Sequence, residues 1–295
     1  MPEQTRKTII VAVQTTIVLL LAILIATSGC GWREESPDQD KPQMFVSVAP
    51  LAYFARRIAG KHITVNVLIA PGGNPHTYTP TPKQVVKLSR GGLLLCAGSD
   101  FGQIISSRLS WGNSQLRVVN VAKDIETHDH HGHGGDNHVW MSPKLSKTLA
   151  SGVCLELCKL DPPHADDYRR NLRQLHEDLD DLDVRLAKIL APFKGRTFFV
   201  FHPAFGHLAE AYGLKQEAVE HEGKSPGPRR IGDLIDRAKS ARARAIFVQP
   251  QFSHRAAAII ADKIGGEVVV LDPLSADYIN NLEHIAEELQ KALQQ

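Results

Sequence analysis

The stretch from residue 165 to about residue 190 places the strongest constraint on the fold of this chain. Its apolar residues recur every three or four positions on a polar background: Leu172, Leu175, Leu179, Leu182, Leu186 and Ile189. This spacing predicts one amphipathic helix, about 39 Å long at a rise of about 1.5 Å per residue. A coiled-coil dimer is the alternative, but the stripe covers fewer than three heptads. We therefore expect a single helix long enough to span a domain.

Short apolar runs alternate with helical segments on both sides of this helix. The runs lie at residues 44–48, 63–70, 92–98, 197–201, 245–248 and 267–271. Runs of this length, bounded by Gly, Pro and polar residues, predict buried strands. Because strands that alternate with helices form parallel sheets, the chain is expected to have an α/β fold with mostly parallel sheets.

The N-terminal residues 1–30 resemble an export signal. Basic residues precede an apolar run over residues 9–26, and small residues then lead to Cys30. This order is similar to a bacterial lipoprotein signal, in which Cys30 is lipidated and becomes the new N-terminus. An uncleaved membrane anchor is the alternative, since about 18 apolar residues can just span a bilayer. Either interpretation places the rest of the chain outside the cytoplasm, tied to a membrane through a flexible tether at residues 31–43.

Charge and cysteine content exclude several classes of protein. The net charge is +2, with 34 basic and 32 acidic residues, so nothing indicates a nucleic-acid partner. Four cysteines are too few for a disulfide framework. Cys154 and Cys158 lie one helical turn apart, which permits a thiolate pair on a metal but favours small buried residues of an amphipathic helix. We expect a monomer.

Histidines are concentrated in a Gly/Asp-rich loop over residues 127–138 that offers no apolar side chain for burial before its end. They are His128, His130, His131 and His133. His138 follows in a different setting, immediately before Val139 and Trp140. Neutral imidazole is a strong ligand for zinc and related divalent ions, so the cluster predicts metal capture. The alternative is a solvated loop in which histidines happen to cluster.

Three further residues with metal-binding side chains come directly after predicted strands. His76 lies in the Pro/Gly-rich loop after the strand at 63–70, whereas His202 and Asp272 each follow a strand of the second half. Ligand sites of open α/β sheets lie at this carboxyl edge of the strands. A single loop histidine often has no binding role, and an Asp before Pro is often a turn cap. These residues therefore indicate a ligand site only when they are taken together.

Several segments resemble the metal-binding solute-binding proteins of ABC importers, the zinc and manganese receptors called cluster A-I. They are Pro75-His76-Thr77-Tyr78-Thr79-Pro80-Thr81-Pro82, Asn137-His138-Val139-Trp140 with Ser142-Pro143, His202-Pro203-Ala204-Phe205-Gly206-His207, and Leu271-Asp272-Pro273-Leu274. The acidic, His-rich loop is similar to a loop of the zinc-specific members. These motifs occur in the family's order across roughly residues 44–295. At His207 the family more often has an aromatic residue, and we interpret this side chain as packing around the site.

The resemblance implies two Rossmann-like lobes with a metal site between them. The first lobe would span residues 44–163, a rigid connecting helix residues 164–191, and the second lobe residues 192–295. The implied ligands are His76, His138, His202 and Asp272. The His-rich loop would add accessory sites of lower affinity.

This ligand set carries an expectation about the metal. Three imidazoles and one carboxylate suit tetrahedral Zn²⁺, whereas Mn²⁺ would be expected to have more oxygen ligands. The resemblance therefore implies a protein of the periplasm or the outer membrane face that binds Zn²⁺ and delivers it to an ABC permease, and that is not an enzyme. The alternatives are a manganese receptor or adhesin of the same family, or a zinc-dependent hydrolase. The hydrolase lacks support from an HExxH motif.

Overall fold

The computed structural model describes residues 41–89, 92–98, 105, 116–125, 136–220 and 227–294. The predicted export signal with Cys30, most of the tether, and four loop histidines lie outside these residues. Those histidines are His128, His130, His131 and His133. Within the described ranges, no helix combines the length and the apolarity that crossing a membrane requires.

The first sheet contains four parallel strands in the order β2-β1-β3-β4. The strands are β1 (Gln43–Val46), β2 (Thr64–Val67), β3 (Gly92–Cys96) and β4 (Leu116–Asn120). The helices of this half are α1 (Ala49–Ala59), α2 (Pro82–Ser89) and α3 (Pro143–Leu160). Alternate residues of β3 enter two different apolar clusters, Leu93 and Leu95 in one and Leu94 in the other. A continuous apolar run is therefore buried on both sides, as expected of a central parallel strand.

The second sheet repeats this arrangement in the order β6-β5-β7-β8, again with every pair parallel. Its strands are β5 (Thr197–Val200), β6 (Lys215–Ala218), β7 (Ala245–Val248) and β8 (Glu267–Val270). The helices after the connecting helix are α5 (Gly206–Ala211), α6 (Pro228–Ser240), α7 (His254–Ile264) and α8 (Tyr278–Gln294). The α/β fold with parallel sheets is confirmed.

Two strands have no counterpart in the sequence prediction, and both are edge strands. Within the part of the chain that the structure describes, β4 pairs only with β3, and β6 pairs only with β5. The β6 sequence is Lys-Gln-Glu-Ala, and its side chains are half-buried or exposed. An edge strand can have one side facing solvent, so it does not require an apolar run, although the edge strands β2 and β8 do have one.

The predicted long helix is confirmed as α4 (Ala165–Leu190). Its buried side chains are Tyr168, Leu175, Leu179, Leu182, Leu186 and Leu190. They enter one apolar cluster with residues of α1, α3 and α8 and with strands of the second sheet. The stripe is therefore buried within the chain and is not left for a coiled-coil partner. The lobe boundaries on either side of this helix stay predictions.

Buried polar contacts join the two halves of the chain at the start of α8. Tyr278 donates its hydroxyl hydrogen to the Trp140 carbonyl (2.6 Å), and its oxygen lies 2.9 Å from Ser146 Oγ. The Trp140 indole N–H donates to the Pro273 carbonyl (2.7 Å). The Tyr278 ring packs edge-on against Phe54 of α1, with ring centroids 4.8 Å apart. The first residue of α8 is therefore buried against residues of the first half of the chain.

The three cysteines that the structure describes behave as buried or half-buried apolar residues. Cys96 and Cys154 are buried, Cys158 is half-buried, and all three are free thiols. Burial raises the pKa of Cys96 to about 12, and burial with the neighbouring Cys158 raises the pKa of Cys154 to about 12. Since a thiolate is the form that binds metal, these protonated thiols favour the packing interpretation.

We expect Tyr278→Phe to lower the free energy of unfolding by about 1–2 kcal/mol, because it removes buried hydrogen bonds while leaving the ring packing intact. Denaturant unfolding would measure this change. Tyr53→Phe is the matched control, since its half-buried hydroxyl bonds only the Arg57 side chain among the described contacts. Equal effects of both substitutions would contradict a special role of the buried hydroxyl.

Candidate metal centre

Three histidines from separate parts of the chain meet at one place. His76 follows β2, His138 precedes the 3-10 turn Val139–Met141 that leads into α3, and His202 follows β5. One ring nitrogen of each lies within 4.8 Å of the others. The Nε2 atoms of His76 and His202 are 3.2 Å apart. Tetrahedral zinc with Zn–N bonds of about 2.0 Å holds its ligand nitrogens about 3.3 Å apart, so this arrangement approaches a zinc cage.

His76 is the exposed member of the three. Pro and Gly prevent regular structure in its loop, and the side-chain oxygen of Asn74 accepts a hydrogen bond from the backbone N–H of His76 (2.9 Å). This short turn presents the imidazole toward the other two rings, with centroid distances of 4.9 Å to His202 and 6.2 Å to His138.

The orientation of His138 is set by Asp136. The Asp136 Oδ1 atom accepts from the backbone N–H of His138 (2.9 Å) and from its ring Nδ1 (2.7 Å). The ring therefore carries its hydrogen on Nδ1 and leaves Nε2 as the metal-binding atom. Burial opposes ionisation of Asp136, but the charge and hydrogen bonds of His138 outweigh it and lower the pKa, so Asp136 is a carboxylate.

His202 is oriented in the same way by a buried carboxylate that follows the neighbouring strand β6. Its Nδ1 lies 2.6 Å from Glu220 Oε2, and the exposed fractions of the two side chains are 8% and 6%. Gln249 accepts from the backbone N–H of His202 (3.2 Å) and donates to its carbonyl (2.7 Å). Burial lowers the pKa of His202, although Glu220 acts in the opposite direction. The imidazole is therefore neutral near pH 7, which is the form that binds a metal.

Asp272 lies at the end of β8 as predicted, but it does not belong to the group of mutually close ligand atoms. That group, among the residues that the structure describes, consists of the three histidines. Asp272 Oδ1 instead accepts from the backbone N–H of Leu274 (2.9 Å) and from Gln251 Nε2 (3.2 Å). The cavity at the histidines is also lined by Asn74, Pro75, Gln249, Gln251, Phe252, Pro273 and Leu274. The role of Asp272 as a fourth ligand stays a prediction.

Sequence reasoning missed the two carboxylates behind the imidazoles. Asp136 was included only as part of the His-rich loop, and Glu220 had no assigned place. The signal for Asp136 is its spacing two residues before His138, which permits the local hydrogen bonds seen here. Glu220 follows the unpredicted strand β6, so only the pairing of β6 with β5 reveals it.

The profile of a known protein family matches almost all of the described chain. The family described as "ZnuA: Zinc-uptake complex component A periplasmic" matches residues 44–292. The chain belongs to this family.

Individual relatives and structures agree with the family. A protein described as "Crystal structure of ZnuA" is 35% identical, with a TM-score of 0.82 over 86% of this chain and 99% of the other. The high-affinity zinc uptake system protein ZnuA of Bacillus subtilis (strain 168) is 27% identical over 278 residues, covering 88% of this chain and 87% of the relative. The manganese-binding lipoprotein MntA of the same organism is 28% identical over 249 residues, covering 80% and 81%. The similarity to a solved ZnuA structure thus agrees with the architecture of two parallel sheets.

We expect Glu220→Gln to weaken zinc binding by about tenfold or more, because a carboxylate that fixes a ligating imidazole supports both its orientation and its basicity. Isothermal titration with zinc against a competing chelator would measure the change. Glu217→Gln is the matched control, since Glu217 lies on the same segment but pairs with Arg237 at the surface (2.7 Å). If both variants bind zinc like the unaltered protein, Glu220 does not support the site.

Proposed function

We propose that this protein binds Zn²⁺ outside the cytoplasmic membrane and delivers it to the permease of an ABC importer. The observation that carries the proposal is the convergence of His76, His138 and His202, with one ring nitrogen of each within 4.8 Å of the others, in a chain of the zinc-uptake family. Zinc is here the cargo of the protein and not a resident catalytic group.

The chemistry of the donor atoms favours zinc over manganese. Three neutral imidazoles form a borderline ligand set that suits Zn²⁺, whereas Mn²⁺ prefers carboxylate, carbonyl and water oxygens. The two nearby carboxylates, Asp136 and Glu220, each bond a ring Nδ1 and therefore act on the imidazoles. We propose Asp272 as the fourth ligand, reached by a rotation of its side chain away from Leu274, with water as the alternative.

The position of the ligands suits a carrier that must also release its ion. His76 and His138 belong to the first half of the chain and His202 to the second, so separation of the halves would break the cage. His202 is buried, but His76 is exposed, which leaves one side of the site open to solvent. Exchange of zinc through this exposed side would begin with the loss of one protein ligand, His76.

The leader is proposed to anchor the protein at the membrane. Lipidation of Cys30 would tie the chain from residue 41 onward to the membrane surface through a polar tether. The His-rich loop would then serve as an accessory site of lower affinity, through His128, His130, His131 and His133. The tether at residues 31–43 would let the chain from residue 41 onward approach a permease in the same membrane.

A zinc-dependent hydrolase is the competing function, since three histidines with an open position also describe catalytic zinc. Hydrolysis needs a general base beside the metal-bound water. Glu220, a buried carboxylate behind His202, is bonded to the far side of the ring and therefore faces away from the metal position. Family membership also supports uptake, because the matched family is a component of a zinc-uptake complex.

The chain from residue 41 onward should retain one zinc ion after dialysis, and His76→Ala, His138→Ala or His202→Ala should each lose it, because each removes a nitrogen ligand from the cage. Elemental mass spectrometry would measure the zinc content. Deletion of residues 129–135 is the control, since it removes loop histidines and leaves the cage ligands. Zinc loss on loop deletion alone would contradict the proposed site.

Asp272→Asn should weaken zinc binding by about tenfold or more if the carboxylate is the fourth ligand, because it removes the negative oxygen donor and keeps the Oδ1 acceptor for Leu274. Competition titration against a chelator would measure this. An unchanged dissociation constant would assign the fourth position to water.

A further inference from the structure

We propose that His207 is a positioning residue that couples contact between the two halves of the protein to the orientation of His138 at the metal. The inference rests on the proposed zinc site. It adds a residue that bonds to neither the metal nor a ligand and acts through Asp136.

The first observation is a hydrogen bond that crosses from one half to the other. His207 lies in α5 of the second half, with only 5% of its surface exposed. Its Nε2 atom is 2.8 Å from the backbone carbonyl oxygen of Asp136 in the first half. Because a carbonyl oxygen only accepts, Nε2 carries the hydrogen and donates it. The second half thus holds the main chain at Asp136.

The second observation is that the Asp136 side chain orients His138 within the first half. The Asp136 side chain binds both the backbone N–H and the ring Nδ1 of His138 through Oδ1. A shift of the Asp136 main chain would move that oxygen and turn the ring of His138. The His138 ring lies 5.3 Å from the His202 ring between centroids, so its angle decides where Nε2 points in the cage.

The third observation is the close approach of Gly206, the residue before His207. A Cβ atom on Gly206 would lie 2.6 Å from Asp136 Oδ2, well inside the distance that real Cβ atoms keep. Oδ2 is buried and has no hydrogen-bond partner among the described residues. The start of α5 therefore restricts Asp136 in two ways, through a hydrogen bond to its main chain and by leaving no room for a side chain at position 206 beside its carboxylate.

These contacts make the orientation of a first-half ligand depend on the second half being in place. When the halves are in contact, His207 and Gly206 hold Asp136, and Asp136 holds His138 toward His202. When the halves separate, both restraints on Asp136 are lost together with the His202 ligand. Separation of the halves would therefore release His138 from its orientation at the same time as it removes His202 from the cage.

His207→Phe tests the inference, because it keeps a buried aromatic ring and removes the donor to Asp136. We expect about tenfold weaker zinc binding, at the lower end of the effect of supporting residues around metals. His207→Gln places an amide N–H near the position of Nε2 and should restore binding to within about threefold of the unaltered protein. Competition titration on the full chain would measure both.

His176→Phe is the matched control. Its Nε2 also bonds a backbone carbonyl, that of Lys147 (3.2 Å), but between α4 and α3 and away from the cage. Zinc binding by this variant should be unchanged. If His207→Phe and His176→Phe bind zinc alike, the inference is overturned.

A double-mutant cycle shows whether His207 acts through Asp136. In an Asp136→Ala background no carboxylate remains to orient His138, so His207→Phe should add less than about a twofold loss of affinity. A full additional tenfold loss would mean that His207 acts by another route, which overturns the inference.

The visible absorption spectrum of Co²⁺ bound in place of zinc provides a readout that a purely structural role would not move. His207→Phe should alter the band intensities because the His138–metal geometry changes, and His207→Gln should restore them. Gly206→Ala should also alter them, although alanine has the higher helix propensity. Unaltered spectra in His207→Phe and Gly206→Ala would overturn the inference while leaving the proposed function intact. Absence of zinc binding in the unaltered protein would overturn both.

Discussion

The burial of one face of α4 is the constraint on which the rest of the structure depends. Its leucines pack against α1 and α3 on the side of the first sheet and share a cluster with α8 and strands of the second sheet. Removing this surface from water joins the two sheets through a common core. The polar contacts of Tyr278 and Trp140 add direction to that packing, since a buried hydroxyl and indole N–H each need a defined partner. The loops at the strand ends are thereby brought to one place.

The three imidazoles are not equivalent in that place. His138 and His202 each have a carboxylate behind Nδ1, and both rings are largely shielded from solvent. His76 lies on an exposed turn, positioned by the chain around Asn74. A site with two oriented ligands and one exposed ligand combines a preformed binding geometry with a path for exchange. That combination is what a carrier of a metal ion needs, in contrast to a closed structural zinc site.

The parts of the fold that could be predicted are those with a strong local pattern. The α4 stripe repeats at helical spacing over its whole length, and β3, β5 and β7 are continuous apolar runs. The edge strands β4 and β6 were not predicted in this way, because their short sequences carry charged and polar residues in place of a continuous apolar run. Because β6 was not predicted, the contact of Glu220 with His202 was not predicted either. The position of Glu220 beside His202 follows from strand pairing alone.

The sequence by itself determined the chemical types at the site: histidines after strand ends, a Pro/Gly-rich loop that presents His76, and motifs that resemble a metal-receptor family. These are local properties, because backbone restriction and ligand chemistry depend on individual residues and their neighbours in the sequence. Only the tertiary structure decided that Glu220 bonds the His202 ring and that His207 bonds the main chain at Asp136. Asp136 is separated from His207 by 71 positions, and Glu220 from His202 by 18. Contacts at such separations depend on how the two sheets and α4 pack, and no periodicity along the chain encodes them.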